Sequence, residues 1–327
     1  PSTEQLSTSL QVFKEGGSLA FRAKDLKTHI DLVMREGIFN SNGPGSYVEL
    51  PANQYISYID KLRWVMDESL TLGDEFGGGE GSKFVSIHPL QDSLSFLAKT
   101  AFYSLKDYII HAGGVNDILI ADAKIYPDSG IVTIAKDALI ETLYGAKIIA
   151  DDLMQYHKFT DATVDIQSAF NYTASGDYTY KDAMNNEQQI FFKEIRVVDT
   201  ITVARGDVDQ DKIFHIDTKF DFKGSVDLIA DQKNLTFDGF FMANHDCDLL
   251  DKEWVKFKSR IDPQDIRFTL DEKMYNEADE ILSSALVISF DSTDFYSTFL
   301  SKKKRVPLDI SVLSASYNLA YDKKKFA

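Results

Sequence analysis

Between residues 99 and 168 a four-residue pattern recurs: Asp122-Ala-Lys-Ile, Asp137-Ala-Leu-Ile, Gly145-Ala-Lys-Ile and Asp161-Ala-Thr-Val. The first and third copies lie 23 residues apart and the second and fourth 24, so two interleaved series share one period. One unit earlier, Lys99-Thr-Ala-Phe and Gly113-Gly-Val fall into the same series. A period in this range marks one supersecondary unit stacked on the next, because a single unit cannot bury its own apolar face. Three short strands and three turns, at about 3.3 Å per strand residue, fill such a unit. The spacing therefore predicts a parallel β-helix, with the alanines as a tight inward column and Ile125, Ile140, Ile148 and Val164 as the ladder beside it. Asp or Gly ahead of each alanine suits a turn.

A helical reading competes over residues 135–156, rich in Ala, Leu, Lys and Glu, and over 90–111, which follows Pro89 and stops before Gly113-Gly114. The β-branched clusters Tyr108-Ile-Ile and Ile131-Val-Thr-Ile, together with Gly145, oppose it. Beyond residue 169 short alternating runs take over. Lys219-Phe-Asp-Phe-Lys sets Phe220 and Phe222 on one face and Lys219, Asp221 and Lys223 on the other. The expected fold is all-β: a parallel β-helix or β-solenoid over residues 1–253, more irregular and antiparallel towards the C-terminus. Residues 254–327 read as a mixed segment or cap, with a helix over Met274 to Leu286 and a strand over Leu286-Val-Ile-Ser-Phe.

Ala121-Asp-Ala-Lys-Ile and Gly130-Ile-Val-Thr-Ile-Ala-Lys-Asp-Ala-Leu-Ile resemble the ladders of right-handed, pectate-lyase-like β-helix proteins. Ala174-Ser-Gly-Asp-Tyr-Thr-Tyr and Gly224-Ser-Val-Asp-Leu-Ile-Ala resemble β-solenoids of the OstA/LptA type, and segments of large envelope proteins of Gram-negative bacteria. These likenesses imply a fold and an extracytoplasmic location, in the periplasm, at the outer membrane or outside the cell; they leave function open. The clustered acids or Lys/Arg pair of polysaccharide-active β-helix enzymes have no counterpart here.

The chain carries 51 acidic against 35 basic side chains, a formal net charge of −16. Nucleic acid and anionic bilayers would therefore be met with repulsion. No window approaches the roughly 20 apolar residues of a membrane helix, so no membrane insertion is expected. One cysteine, Cys247, rules out an internal disulfide and a multi-cysteine zinc site. The chain starts at Pro1, which suggests a processed form or a piece of something longer.

Two constellations are weak metal candidates. Asp207, Asp209 and Asp211 stand at positions 1, 3 and 5 of a calcium-loop pattern, but Lys212 replaces the glycine at position 6 and Thr218 the glutamate at 12. Adventitious Ca²⁺ binding is the sharper reading and a solvated turn the plainer one. His245 and Cys247 gather with Asp246, Asp248, Asp251 and Glu253, a set able to bind zinc or activate a thiol, though a strand end is the default. Gly77-Gly-Gly-Glu-Gly-Ser-Lys lacks the Gly-Lys-Ser/Thr ending of a phosphate loop. Asp151-Asp152 reads as solvated turn carboxylates, and Tyr47, Tyr55, Tyr58 and Trp64 as either sugar-stacking rings or a cross-strand ladder. No catalytic residue and no cofactor is expected. The preferred function is a structural or interaction module of a cell-envelope or secreted protein, its partner a protein or the rest of a larger chain; the alternative is a glycan-binding or polysaccharide-processing protein.

Overall fold

Alternation of buried and exposed residues runs through strand after strand of the computed structural model, which describes residues 7–73, 81–208, 211–245, 252–270, 274–291, 294–301, 308–314 and 317–320. The chain divides into two compact units, Pro1–Gly176 with Glu194–Val203, and Asp177–Lys193 with Ala204–Ala327.

The first unit opens with β1 (Thr8–Phe13), β2 (Leu19–Asp31), β3 (Glu36–Ser41), β4 (Tyr47–Leu50), β5 (Tyr55–Tyr58) and β6 (Lys61–Val65). It continues with β7 (Ser69–Gly73), β8 (Ser82–Ser86), β9 (Ser95–Ala98), β10 (Thr100–Ser104) and β11 (Ile110–Gly113). Then follow β12 (Ile118–Ile120), β13 (Ala123–Tyr126), β14 (Ile131–Ile134), β15 (Leu143–Ala150) and β16 (His157–Ser168). The strands β17 (Asn171–Lys181), β18 (Glu187–Val198) and β19 (Ile201–Asp207) give residues to both units.

One sheet of the first unit runs β14-β11-β10-β7-β6-β3-β2-β4-β5-β8-β9, with β1 also on β2. Its inner row passes from Thr28 through Phe39, Leu62, Leu72, Ala101 and Ala112 to Val132, each directly opposite the next and each buried. One residue along, the outer row reads His29, Ile38, Arg63, Thr71, Phe102, His111, Thr133. A period of two on seven strands thus sorts buried from more exposed side chains without help from any helix. The other sheet of this unit has the order β12-β13-β15-β16-β17.

The parallel β-helix is overturned: the strand pairings among the described residues are antiparallel. In the region of the repeat, Ile125 lies opposite Ile148 and Ala146 opposite Ala162. The strands of this region turn back beside one another instead of stacking as coils. The residues expected inside, Ala123, Ala138, Ala146, Ala162, Ile125, Ile140, Ile148 and Val164, are all buried, but they do not stack into one column: Ala138 lies in a 3₁₀ turn and Ile140 bridges Ile134. Spacing and burial were recorded in the pattern, but strand direction was not. The residue before the alanine also has another role: Asp137, Gly145 and Asp161 take left-handed φ of 56°, 66° and 48°, marking bulges and a 3₁₀ turn at Lys136–Ala138. That turn is the one helical element among the described residues, so the helical readings of 90–111, 135–156 and Met274 to Leu286 fail as well. The expected strand over Leu286-Val-Ile-Ser-Phe is met only at Leu286 to Ile288, where the strand Ile281–Ile288 ends. Among the described residues no helix is long and apolar enough to cross a membrane.

A buried amide ties the first unit together. Asn53, in the β4–β5 turn and without solvent exposure, points Nδ2 at three backbone oxygens, those of Tyr108 (2.7 Å), Ile134 (3.1 Å) and Ala135 (2.9 Å). Beside it the Tyr55 hydroxyl donates to Gln91 Oε1, and Gln91 Nε2 donates to Ala138 O. The Asp137 amide donates to Ala52 O. Turns far apart in sequence are thereby pinned to the end of β14, which starts the link to β15.

The second unit holds β20 (Phe214–Asp217), β21 (Phe220–Ile229), β22 (Thr236–Ala243) and β23 (Val255–Arg260), with β20 and β22 both paired to β21 and β23 to β22. Shorter strands follow: β24 (Arg267–Leu270), β25 (Met274–Tyr275), β26 (Ile281–Ile288), β27 (Phe295–Ser301), β28 (Ile310–Ser314) and β29 (Tyr317–Ala320). Its core is a cluster of rings, Phe222 edge-on to Phe237 at 5.0 Å and Phe241 stacked on Phe268 at 4.1 Å. Gly224 (φ 145°) faces Gly239, and a Cβ on Gly224 would stand 2.5 Å from Asp238 O, so β21 and β22 approach there as only glycine allows.

Replacing Asn53 by Leu takes the donor from those three carbonyls, the bond to Ile134 being fully buried, and a loss of about 2 kcal/mol in unfolding free energy is expected. Urea titration followed by Trp64 fluorescence, with Trp254 replaced by Phe so that only the first unit reports, measures it. A change below about 0.5 kcal/mol, the size of an ordinary surface effect, would contradict the role given to Asn53.

Burial also sets an alkaline limit. It raises the hydroxyls of Tyr55, Tyr103, Tyr172 and Tyr180 well above the ordinary value and pushes Tyr178 up to about 12. Between the unfolded value of about 10 and the higher folded values the unfolded chain holds fewer protons, so stability is complete below pH ~10 and falls as pH rises. Tyrosinate absorbance should rise in two steps, exposed rings first and buried rings together with loss of β-sheet circular dichroism. A single step near pH 10 with the fold intact would contradict this.

Candidate functional site

Two hairpin tips of the first unit share one construction. At the β2–β3 tip, Asp31 Oδ1 accepts the amides of Val33 (2.8 Å) and Met34 (3.0 Å), and Arg35 takes a left-handed φ of 56°. At the β15–β16 tip, Asp151 Oδ1 accepts the amides of Leu153 (3.0 Å) and Met154 (3.2 Å), and Gln155 takes a φ of 54°. Those two amide bonds hold the Asp31 carboxyl below the usual carboxylate range. Each aspartate folds the turn so that apolar side chains stand in water: Leu32, Val33 (91% exposed) and Met34 on one, Leu153 (90% exposed) and Met154 on the other. The first tip is braced from the β6–β7 turn, where the Met66 amide donates to Arg35 O and Asp67 pairs with Arg35. The second is braced by the Asp152 amide on Asp122 O and by the Asp152–Lys124 ion pair at 2.6 Å.

A cleft of about 250 Å³ opens between Pro127–Ser129, Ile131 and Thr133 on one side and Glu141–Tyr144 on the other. A β-bulge shapes it. Leu143 pairs with Val164 and Ala146 with Ala162, three steps along β15 against two along β16, so one extra residue is accommodated at Tyr144-Gly145. The left-handed Gly145 absorbs the irregularity, and Tyr144 is turned out to 74% exposure. A compensating shift follows on β16 between Ala162 and Phe159, where Asp161 is left-handed.

The sequence candidates fare differently. Asp207 is drawn to Lys193, and Asp211 is described, while Asp209 lies outside the described residues. Cys247, Asp246, Asp248 and Asp251 lie outside the described residues too, as do Asp74, Glu75 and Gly77 to Glu80 of the glycine-rich loop and the basic residues of 302–305 and 323–325. His245 is described, its Nδ1 buried without a hydrogen-bond partner. Among the described residues no group of three His, Cys, Asp or Glu side chains is placed to hold a metal. Asp151 and Asp152 build the turn just described. Tyr47 and Tyr58 are cross-strand neighbours with rings 6.2 Å apart, Tyr55 is buried, and Trp64 packs edge-on to Phe21.

Asp221, assigned by alternation to a wet face, is buried and held 2.6 Å from His215 Nδ1, while the Gln188 amide bonds both backbone groups of His215. This knot fastens β20. Sequence reasoning placed Asp151-Asp152 in a turn but passed over the apolar residues of both tips and Tyr144. The tips did carry a signal in the sequence, an aspartate with apolar residues two and three places on, whereas Tyr144 had only the glycine after it.

Compared with models of protein families, with curated proteins and with solved structures, the chain matches none.

Asp31→Ala should free the tip without touching the sheet: amide exchange at Val33 and Met34 should speed up several-fold, with Phe39 and Leu62 unchanged. Because the folded Asp31 carboxyl titrates below the unfolded value of about 3.9, the cap is complete above that pH and is lost only as pH falls beneath it. Exchange protection at Val33 that already disappears near pH 5 would contradict the cap.

Proposed function

We propose that this chain is a non-catalytic binding module of a cell-envelope or secreted protein, and that it engages a protein partner through the Leu32–Met34 and Leu153–Met154 tips. The observation that carries this reading is the run of exposed apolar residues on capped turns. Three consecutive apolar side chains in water lower solubility unless they serve a function. Each that a partner covers contributes about 1.5–3 kcal/mol. The Asp31 and Asp151 caps fix the turns beforehand, which reduces the ordering cost of association. The acidic balance of the chain supports a protein partner over nucleic acid or an anionic bilayer. Placement outside the cytoplasm rests on the resemblance to envelope proteins.

The test is photo-crosslinking of the full chain in the cells that make it, with a benzophenone amino acid at Val33 or Leu153 and a control at exposed Lys158. Adducts of discrete mass at the tips and none at Lys158 are expected. Tips that label no more than Lys158 would sink the reading.

A further inference from the structure

We propose that the Tyr144 cleft binds one or two rings of a neutral sugar, with Tyr144 as the stacking platform and Asp128 and Glu141 as acceptors for its hydroxyls. This is independent of the apolar tips, whose residues do not line the cleft.

Four observations carry the inference. First, Tyr144 stands 74% exposed on a bulge with a compensating partner on β16, so the backbone is irregular where the ring is displayed. Bulges re-aim side chains next to binding sites, and an aromatic ring whose face is open to water is what the apolar face of a pyranose stacks on. Exposed Ile131 extends that apolar surface. Second, the carboxylates of Asp128 and Glu141 line the cleft, are exposed and take no hydrogen bond or ion pair from the described residues. Elsewhere the carboxylates of Asp152, Asp207, Asp227 and Asp238 meet a lysine or arginine. A free carboxylate offers several acceptor positions and suits adjacent hydroxyls.

Third, hydroxyls of Ser129, Thr133 and Thr142 complete the wall, and two are oriented from behind: Thr142 donates to Asp165 Oδ1 and Thr133 lies 3.3 Å from His111 Nδ1. Thr142 therefore presents its lone pairs, as a further acceptor. Fourth, no lysine or arginine lines the cleft, which removes anionic ligands, and its volume lies below the roughly 300–1,000 Å³ of pockets for drug-sized ligands. An acceptor-rich, partly apolar and cation-free cleft of this size matches a neutral polyol ring. A basic side chain is the competing occupant, and salt separates the two, because attraction to a cation is screened while stacking and neutral hydrogen bonds are not.

The experiment is isothermal titration of the full chain with malto-, cello-, xylo- and mannopentaose, and separately with spermine, at about 50 and 500 mM salt. Binding of at least one oligosaccharide is expected, unchanged by salt, at least tenfold weaker in Tyr144→Ala and several-fold weaker in Asp128→Asn. Tyr144 is a surface residue, so its replacement leaves the circular dichroism spectrum and the urea midpoint unchanged. No heat or chemical-shift change with any of the four sugars overturns the proposal. Binding that survives Tyr144→Ala overturns the site. Spermine binding that fades with salt and is lost in Tyr144→Ala reassigns the cleft to a cationic ligand. None of these results bears on crosslinking at the tips.

Discussion

Antiparallel pairing around one continuous inner row is the constraint on which the first unit depends. From Thr28 to Val132 seven strands each contribute one buried residue opposite the next, and a slip of one residue on any strand would exchange Leu62 or Leu72 for Arg63 or Thr71 in the interior. Register is therefore fixed by hydrophobic burial. Asn53 then anchors the β4–β5 turn against the ends of β11's turn and β14 with a single amide group. Its two N–H groups, shared among three carbonyls, make that amide costly to remove and give the site-bearing link from β14 to β15 a fixed origin.

The candidate surfaces follow from how antiparallel sheets must be finished. Every strand ends in a turn, and at Asp31 and Asp151 the turn chosen is one whose aspartate satisfies two amides locally, leaving the intervening side chains nowhere to go but outward. Leu32, Val33, Met34, Leu153 and Met154 are thus displayed by backbone chemistry. Tyr144 is displayed by a different device: one extra residue in β15 is taken up at a left-handed glycine, and the ring that would otherwise alternate with its neighbours is turned into the cleft. Rigid elements holding exposed apolar groups are the common thread.

Much of the burial was legible in the sequence. Ala123, Ile125, Ala146, Ile148, Ala162 and Val164 lie inside as expected, and Phe220 and Phe222 share the ring cluster of the second unit. Direction was not legible, because a hairpin and a stacked coil place the same buried residues at the same spacing. Asp137, Gly145 and Asp161 held the missing information: each is left-handed and interrupts a strand or begins a turn, which regular coils do not require. Asp221 escaped for the opposite reason. Alternation assigns it to water, but His215 supplies a partner that permits burial, and a partner six residues away cannot be inferred from period alone.

Strand direction is open to a direct measurement in the very segment where the repeat suggested coils. Antiparallel pairing places Tyr126 opposite Lys147, whereas a 23-residue coil would place Lys124 opposite Lys147. With Cys247 replaced by Ser, paired cysteines at 126 and 147 should oxidise rapidly to an intramolecular disulfide, and cysteines at 124 and 147, diagonal across the strands at roughly 7–8 Å, should do so slowly or not at all. The reverse preference, read by mass spectrometry under the same oxidant, would contradict the antiparallel sheet and with it the bulge that presents Tyr144.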